Sequence, residues 1–390
     1  MTNAKPPTRR WSQVSCLLLA LVALQASRPD EKVQRAENEY PGKQWSQAGK
    51  PEDRGWSSDK LAAAKSYADS ISTAAVVIVD DGTIVSQWGE TTTKFNVHSI
   101  RKSFLSGLYG IAVAKSQIDL NATLGQLGID DNEPSLMPEE KQARVIDLLK
   151  ARSGIYHAAL YESPAMKAEK PPRGSHSARS FWYHNNWDFN ALRTICEKLT
   201  HDSIYHRFDA QIAQRIDMED YDPKEQECVT GPDSIHRAYP FRMSARDMAR
   251  FGLLYLRGGR WRGAQLIPAQ WIRESTTAYS VADGNARDGY SGYGYLWWVA
   301  VNGNHYPKVE LPDGSFSAWG AGGPLYCRYS RSECRRCAPR KYRRPREEGH
   351  VGTVWRTLAP HPRRQEKIES WCPLRFMIAI LRDTNLAQVW

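Results

Sequence analysis

The spacing of apolar positions divides the chain into helical and extended stretches. Residues 58–71 place Leu61, Ala64, Ala68 and Ile71 on one stripe at helical period, with Ser58 or Asp59 as the cap. Two β-branched runs follow, 74–79 and 83–88, around Asp80-Asp81-Gly82. An Asp-Gly turn between two such runs predicts a hairpin. Residues 104–113 form a long, largely apolar segment and read as a buried helix. Further helices are expected over 145–151, 187–199, 245–256 and 269–275, punctuated by Gly258-Gly259 and by Ile267-Pro268. Residues 293–301 predict one strand ending at an Asn302-Gly303 turn, 316–319 a second strand, and 376–381 a third. No internal repeat is present. Strands at both ends with helices between them predict an α+β fold, an antiparallel sheet flanked by helices plus a helical region.

Both ends of the chain stand apart from this pattern. Arg9 and Arg10 precede an apolar run, 16–26, that is short for a bilayer span, with small residues at Ala26 and Ser27. Residues 1–27 therefore read as an export signal, which places the protein in the periplasm or outside the cell. If the segment stayed uncleaved it would anchor the chain to a membrane, the one membrane contact expected. Residues 28–57, polar and rich in proline and glycine, read as a linker. Residues 58–323 form the folded domain. Residues 324–390 are an atypical tail dense in arginine and cysteine.

At 390 residues, 41% hydrophobic and 11% aromatic, the chain can bury a large core. The net charge of +10 would suit a nucleic-acid partner, but the excess sits in the arginine-rich stretch from Arg328 to Arg346. An exported protein seldom meets nucleic acid, so no such partner is expected. The seven cysteines make no disulfide framework, and the single Cys334-x-x-Cys337 lacks the second half of a zinc site. No metal or cofactor is implied.

The candidate chemistry begins at Ser99-Ile100-Arg101-Lys102, just ahead of the buried helix. A serine in the first turn of a helix sits among backbone N–H groups that have no intrahelical partner, at the end where the dipole favours negative charge. A lysine three residues on lies on the same face. If apolar neighbours surround its amine, the pKa falls and the amine can act as a base. Ser57-Ser58-Asp59-Lys60 repeats the spacing, but in a polar stretch suited to a helix cap. Tyr183-His184-Asn185, set among Phe181, Trp182 and Trp187, is a second cluster. A tyrosine beside a lysine can relay a proton, and an asparagine can bond a substrate amide. Gly320-Ala321-Gly322-Gly323, after the strand ending at Trp319, would let a carbonyl approach the backbone.

Ser99-x-x-Lys102, Tyr183-x-Asn185 and a glycine-containing strand motif, in that order, resemble the serine β-lactamase and penicillin-binding protein superfamily. The likeness is nearest to its class C-like branch of β-lactamases, esterases and amide hydrolases. Val145 to Leu149 with Ser153-Gly154, Met243 to Phe251, and Tyr293 to Trp298 resemble further blocks of that family. The resemblance implies a β-lactamase/transpeptidase-like fold. It implies Ser99 as nucleophile, Lys102 as its activating partner and Tyr183 as general acid/base. Asn185 and Gly320 would contact substrate, and the backbone of Ser99 and Ala321 would form an oxyanion hole. The implied substrate is a small ester, amide or β-lactam, hydrolysed through an acyl-enzyme. The alternative is a non-catalytic relative that binds penicillin-like ligands.

The sequence departs from the family in two places. Ala318-Trp319-Gly320 stands where the family usually carries a cation, which favours uncharged substrates. From Pro324 the expected strands give way to a run rich in Arg, Cys and Pro, as a reading-frame shift would produce. The expectation is therefore a sheet with disrupted C-terminal strands and a damaged or inactive site.

Overall fold

A computed structural model describes residues 40–281, 291–306, 309–321, 323–328 and 376–382. The expected signal, the first part of the linker and most of the tail lie outside the described residues.

The helices are α1 (Ser58–Ser70), α2 (Arg101–Ala114), α3 (Val145–Leu149), α4 (Pro164–Glu169), α5 (Asn186–Thr200), α6 (Ile204–Phe208), α7 (Ala245–Leu256) and α8 (Ala269–Ser275). The main-sheet strands are β1 (Thr73–Asp80), β2 (Thr83–Gly89), β3 (Ser280–Val281), β4 (Gly292–Tyr293), β5 (Trp298–Val299), β6 (Phe316–Gly320), β7 (Gly323–Arg328) and β8 (Phe376–Arg382). They form one eight-stranded sheet in the order β2-β1-β8-β7-β6-β5-β4-β3. Every pairing is antiparallel. The α+β expectation holds.

β1 shows how the sheet separates two cores. Side chains of a strand alternate between faces. Ala75, Val77 and Val79 join the large core with α2, α5 and α7. Val76 and Ile78 join a smaller core under α1, with Leu61, Ala64 and Ala68. The β1–β2 turn falls at Asp81-Gly82, both at positive φ (46° and 86°), as the Asp-Gly pair predicts. The cap of α1 is Ser57, whose Oγ accepts the Lys60 N–H at 3.4 Å, one residue before the expected cap. The second Ser-x-x-Lys motif is therefore a helix start.

Three features differ from the sequence reading. Residues 293–301 are not one strand but a tight hairpin, with Tyr293 opposite Trp298 and Gly294 N–H bonded to Trp297 O at 2.8 Å. Gly294 permits this bend because a Cβ there would lie 2.1 Å from Ser275 O at the end of α8. Residues 40–57 pack on the domain and do not run free. Trp45 is buried, its ring lies 5.1 Å from the Arg250 guanidinium, and Arg250 bonds Gly42 O and Lys43 O.

The third difference is that the sheet continues past Gly323. β7 pairs with β6 through Gly320↔Gly323 and Ala318↔Leu325, and with β8 through Leu325↔Ala379. β8 then pairs with β1, so the 376–381 strand takes its expected place. Leu325 and Cys327 supply the alternating apolar positions that such a strand needs, and both are fully buried. Cys327 is buried in the large core, and its thiol donates to Gly252 O of α7 at 3.8 Å. The strands expected to be disrupted are present among the described residues.

Candidate active site

Ser99 lies in a single 3-10 turn, His98–Ile100, that leads straight into α2. That turn is braced from outside. Asn96 Oδ1 accepts the His98 N–H at 3.0 Å, Asn96 Nδ2 donates to Tyr161 Oη at 2.7 Å, and Tyr161 Oη meets His98 Nδ1 at 3.2 Å. His98 itself is held at φ 47°, a left-handed conformation uncommon for a non-glycine residue. The brace fixes the backbone beside a partly exposed serine.

α2 brings Lys102 back over Ser99. Nζ and Oγ are hydrogen-bonded at 2.5 Å. The lysine side chain is 2% exposed, and its Nζ lies 4.7 Å from the centre of the Phe189 ring on α5. Burial first, and the Arg101 guanidinium second, hold the Lys102 amine well below the usual lysine range. Arg101 is fully buried between the faces of Tyr161 and Tyr239, at 5.1 and 4.8 Å. The chemical result is an amine whose charged form is disfavoured, in contact with a hydroxyl.

The end of β6 closes on the same turn. A Cβ on Gly320 would lie 2.5 Å from Val97 O and 3.0 Å from Ser99 N, so only glycine allows this approach. Ala321 follows it in the turn and is exposed. Ser99, Lys102 and Gly320 are thus neighbours in space, and Ala321 is the next residue along from Gly320.

The second motif does not. Tyr183 Oη donates to Met166 O of α4 at 2.9 Å, and its ring sits edge-on to Tyr156. Burial, with Glu162, Glu169 and Tyr156 nearby, pushes its phenol further up and away from proton transfer near neutral pH. No described contact joins Tyr183 to Ser99 or Lys102. Asn185 is the N-cap of α5. Its Oδ1 accepts the Trp187 N–H at 3.2 Å, and its Nδ2 donates to Ile155 O at 2.6 Å and Asp188 Oδ1 at 2.9 Å. Both of its polar ends are occupied by structure.

The reason is parity. Asn185, just before α5, has an extended backbone (φ −100°, ψ 108°), and the contacts of the residues leading to it alternate between two sides. Trp182 and His184 face the sheet and share Tyr293 and Trp298 as ring partners. Tyr183 and Asn185 face the other way. Trp298 also meets Trp319, at 6.0 Å, next to Gly320. Trp182, His184, Tyr293 and Trp298 therefore form one aromatic cluster, which Trp319 meets from the side of the smaller core under α1. His184 was missed as a site residue; the alternation of Trp182 and His184 was the available signal.

Among the described residues, no group of three or more His, Cys, Asp or Glu is disposed to hold a metal ion.

Residues 59–330 match the family model described as Beta-lactamase. The fold is similar to a Bacillus anthracis protein assigned as a 6-aminohexanoate-dimer hydrolase, with a TM-score of 0.55 and 20% identity over 74% of this chain and 80% of that one. It is also similar to an octameric penicillin-binding protein homologue from Pyrococcus abyssi (TM-score 0.50, 16% identity, 69% of each chain). A penicillin-binding protein homologue from Caulobacter crescentus gives a TM-score of 0.50 at 12% identity, over 70% of this chain and 89% of that one. A search of curated proteins by sequence finds no match.

Proposed function

The chain belongs to the Beta-lactamase family, and from that premise we propose that it is a serine hydrolase that works through a Ser99 acyl-enzyme on small uncharged esters or amides. The observation that carries the reading is the 2.5 Å contact between Ser99 Oγ and a Lys102 amine that burial keeps neutral.

The steps follow from the geometry. As Ser99 Oγ attacks a substrate carbonyl, its proton passes to Lys102 Nζ. The carbonyl oxygen gains charge beside the backbone of Ser99 and Ala321, at a helix start where N–H groups favour an anion. The tetrahedral intermediate collapses, the leaving group departs with a proton, and water then hydrolyses the acyl-enzyme by the same route.

Two features support uncharged substrates. Ala318-Trp319-Gly320 puts no cation at the end of β6. His184, which shares the Phe189 ring with Lys102, belongs to an aromatic cluster with Trp182 and Trp298 that suits flat or apolar groups. The likeness to a protein assigned as a 6-aminohexanoate-dimer hydrolase supports testing short linear amides. β-Lactams are the weaker candidates, since the family's carboxylate-binding cation is missing. We further propose export, on the strength of Arg9, Arg10 and the apolar run after them.

The test is hydrolysis of p-nitrophenyl esters and of a chromogenic cephalosporin in parallel, with Ser99→Ala as control. Ester turnover that vanishes in Ser99→Ala supports the reading. Turnover unchanged in Ser99→Ala rejects it.

A further inference from the structure

The site as described has a nucleophile, a base and an anion-binding backbone, but Tyr183 and Asn185 are turned away from it. Something else must return the proton to the leaving group, and this inference rests on the acyl-transfer reading above.

Three observations converge on the neighbouring residues. His184 is partly exposed and lies on the Ser99 side of the chain, stacked on Trp298 at 5.7 Å and 24°. Trp298 in turn contacts Trp319, the residue before Gly320. His184 and Lys102 also share one ring: the imidazole lies 5.0 Å from Phe189, and Lys102 Nζ 4.7 Å from the same ring. Asn186, two residues on and 2% exposed, donates from Nδ2 to Tyr161 O at 2.7 Å. Its Oδ1 has no hydrogen-bond partner among the described residues. A buried acceptor without a partner is destabilising unless a ligand or water satisfies it.

We propose that His184, with Asn186 beside it, is the second proton-handling group of the Ser99–Lys102 site, and that the functional triplet is His184-Asn185-Asn186. The proton that Ser99 Oγ gives to Lys102 moves on to the imidazole. The imidazolium donates it to the leaving alkoxide or amine as the carbonyl-carbon bond to that group breaks. In deacylation, water attacks the acyl carbon, its proton passes to His184 and then through Lys102 to Ser99 Oγ as that C–O bond breaks. Asn186 Oδ1 accepts an N–H or O–H of the substrate. The titratable groups that face His184 are Lys102, Arg101 and, edge-on, Tyr293. Burial, with Lys102 and Arg101 nearby, lowers the pKa of the ring, so it rests neutral and its protonated form gives the proton up readily to a leaving group.

The test uses the full chain and two esters with one acyl group, p-nitrophenyl butyrate and phenyl butyrate. p-Nitrophenolate leaves without a proton more readily than phenolate does. His184→Gln is expected to lose about 10²-fold or more in kcat/KM on the phenyl ester, and less than about tenfold on the p-nitrophenyl ester. Tyr183→Phe is expected to stay within about threefold on both, given that general acid-base partners contribute far more than that. His184→Gly should regain phenyl-ester turnover when imidazole is added, a rescue that a merely structural role would not give. Equal losses on the two esters, no loss in His184→Gln, absent imidazole rescue, or a larger loss in Tyr183→Phe would overturn the proposal. If the unmodified protein shows no Ser99-dependent turnover of either ester, the acyl-transfer reading itself fails and this inference with it.

Discussion

Lys102 Nζ stands 2.5 Å from Ser99 Oγ and 4.7 Å from the centre of the Phe189 ring. One side of the amine thus meets a hydroxyl and another an aromatic face. An ammonium ion in that position would lose its hydration, and among the described residues no carboxylate forms an ion pair with it to offset the loss. The geometry favours a neutral amine, which is what a base for Ser99 must be.

This arrangement opposes stability. The native pKa of Lys102 is depressed, so the unfolded state binds the extra proton across neutral pH. On that sign, the group makes the fold more stable as pH rises toward the range of a free lysine. Lys102→Met keeps the length and removes the desolvation. We expect Ser99-dependent ester turnover to fall by about 10²-fold or more. The midpoint of thermal unfolding at pH 7 should rise, as calorimetry can measure. Turnover retained in this variant would exclude Lys102 as the base.

Gly320→Ala tests the closure of β6 on the nucleophile turn. The added Cβ would lie 2.5 Å from Val97 O and 3.0 Å from Ser99 N, both backbone atoms. The strand must move away, at about 1–3 kcal/mol of stability by the measure of overpacked sites. Denaturant melts read that loss. Ester turnover should fall further than stability alone explains, because the anion-binding backbone moves too.

Glu140 anchors the loop that carries His157 and Arg173. Its carboxylate accepts from Arg173 at 2.9 Å, from His157 at 3.3 Å and from the Met137 N–H at 2.8 Å. Burial raises its pKa, but these bonds outweigh burial and bring it down to about 2. The native value lies below the unfolded one, so the stabilisation is present above about pH 4.5 and is lost as pH falls toward 2. At neutral pH it amounts to about 3 kcal/mol from the size of that shift. Urea melts of Glu140→Gln should show a lower stability than the parent at pH 7 and a narrowing gap toward pH 3.

Leu325→Ala probes the strand after Gly323. Leu325 is fully buried and paired on both sides, with Ala318 and Ala379. The substitution should destabilise by about 2–5 kcal/mol, the range for buried leucines. A neutral result in chemical denaturation would mean that β7 is not part of the folded sheet.

Local rules account for what was readable in the sequence. Ser99 and Lys102 are three residues apart on one helix, so their contact needs no knowledge of the rest of the fold. The Asp81-Gly82 turn is equally local. Tyr183 and Asn185 failed because the tripeptide fixes spacing and not facing. Which side of an extended segment meets the nucleophile depends on Trp298 and Tyr293, more than a hundred residues away in sequence. Asn185 moreover answers to the nearer demand of capping α5. The bend at Gly294 was hidden because Tyr295, Leu296 and Trp297 are apolar and continue a strand-like run. β7 was hidden because Leu325 and Cys327 are followed at once by arginine-rich sequence, whose composition masks two short apolar positions.

The most direct measurement is peptide mass spectrometry after treatment with a fluorophosphonate across a pH series. The account predicts a phosphonyl adduct on Ser99 that forms readily near neutral pH in the parent and only slowly in Lys102→Met. An adduct on another serine, or equal labelling of Ser99 with and without the Lys102 amine, would contradict it.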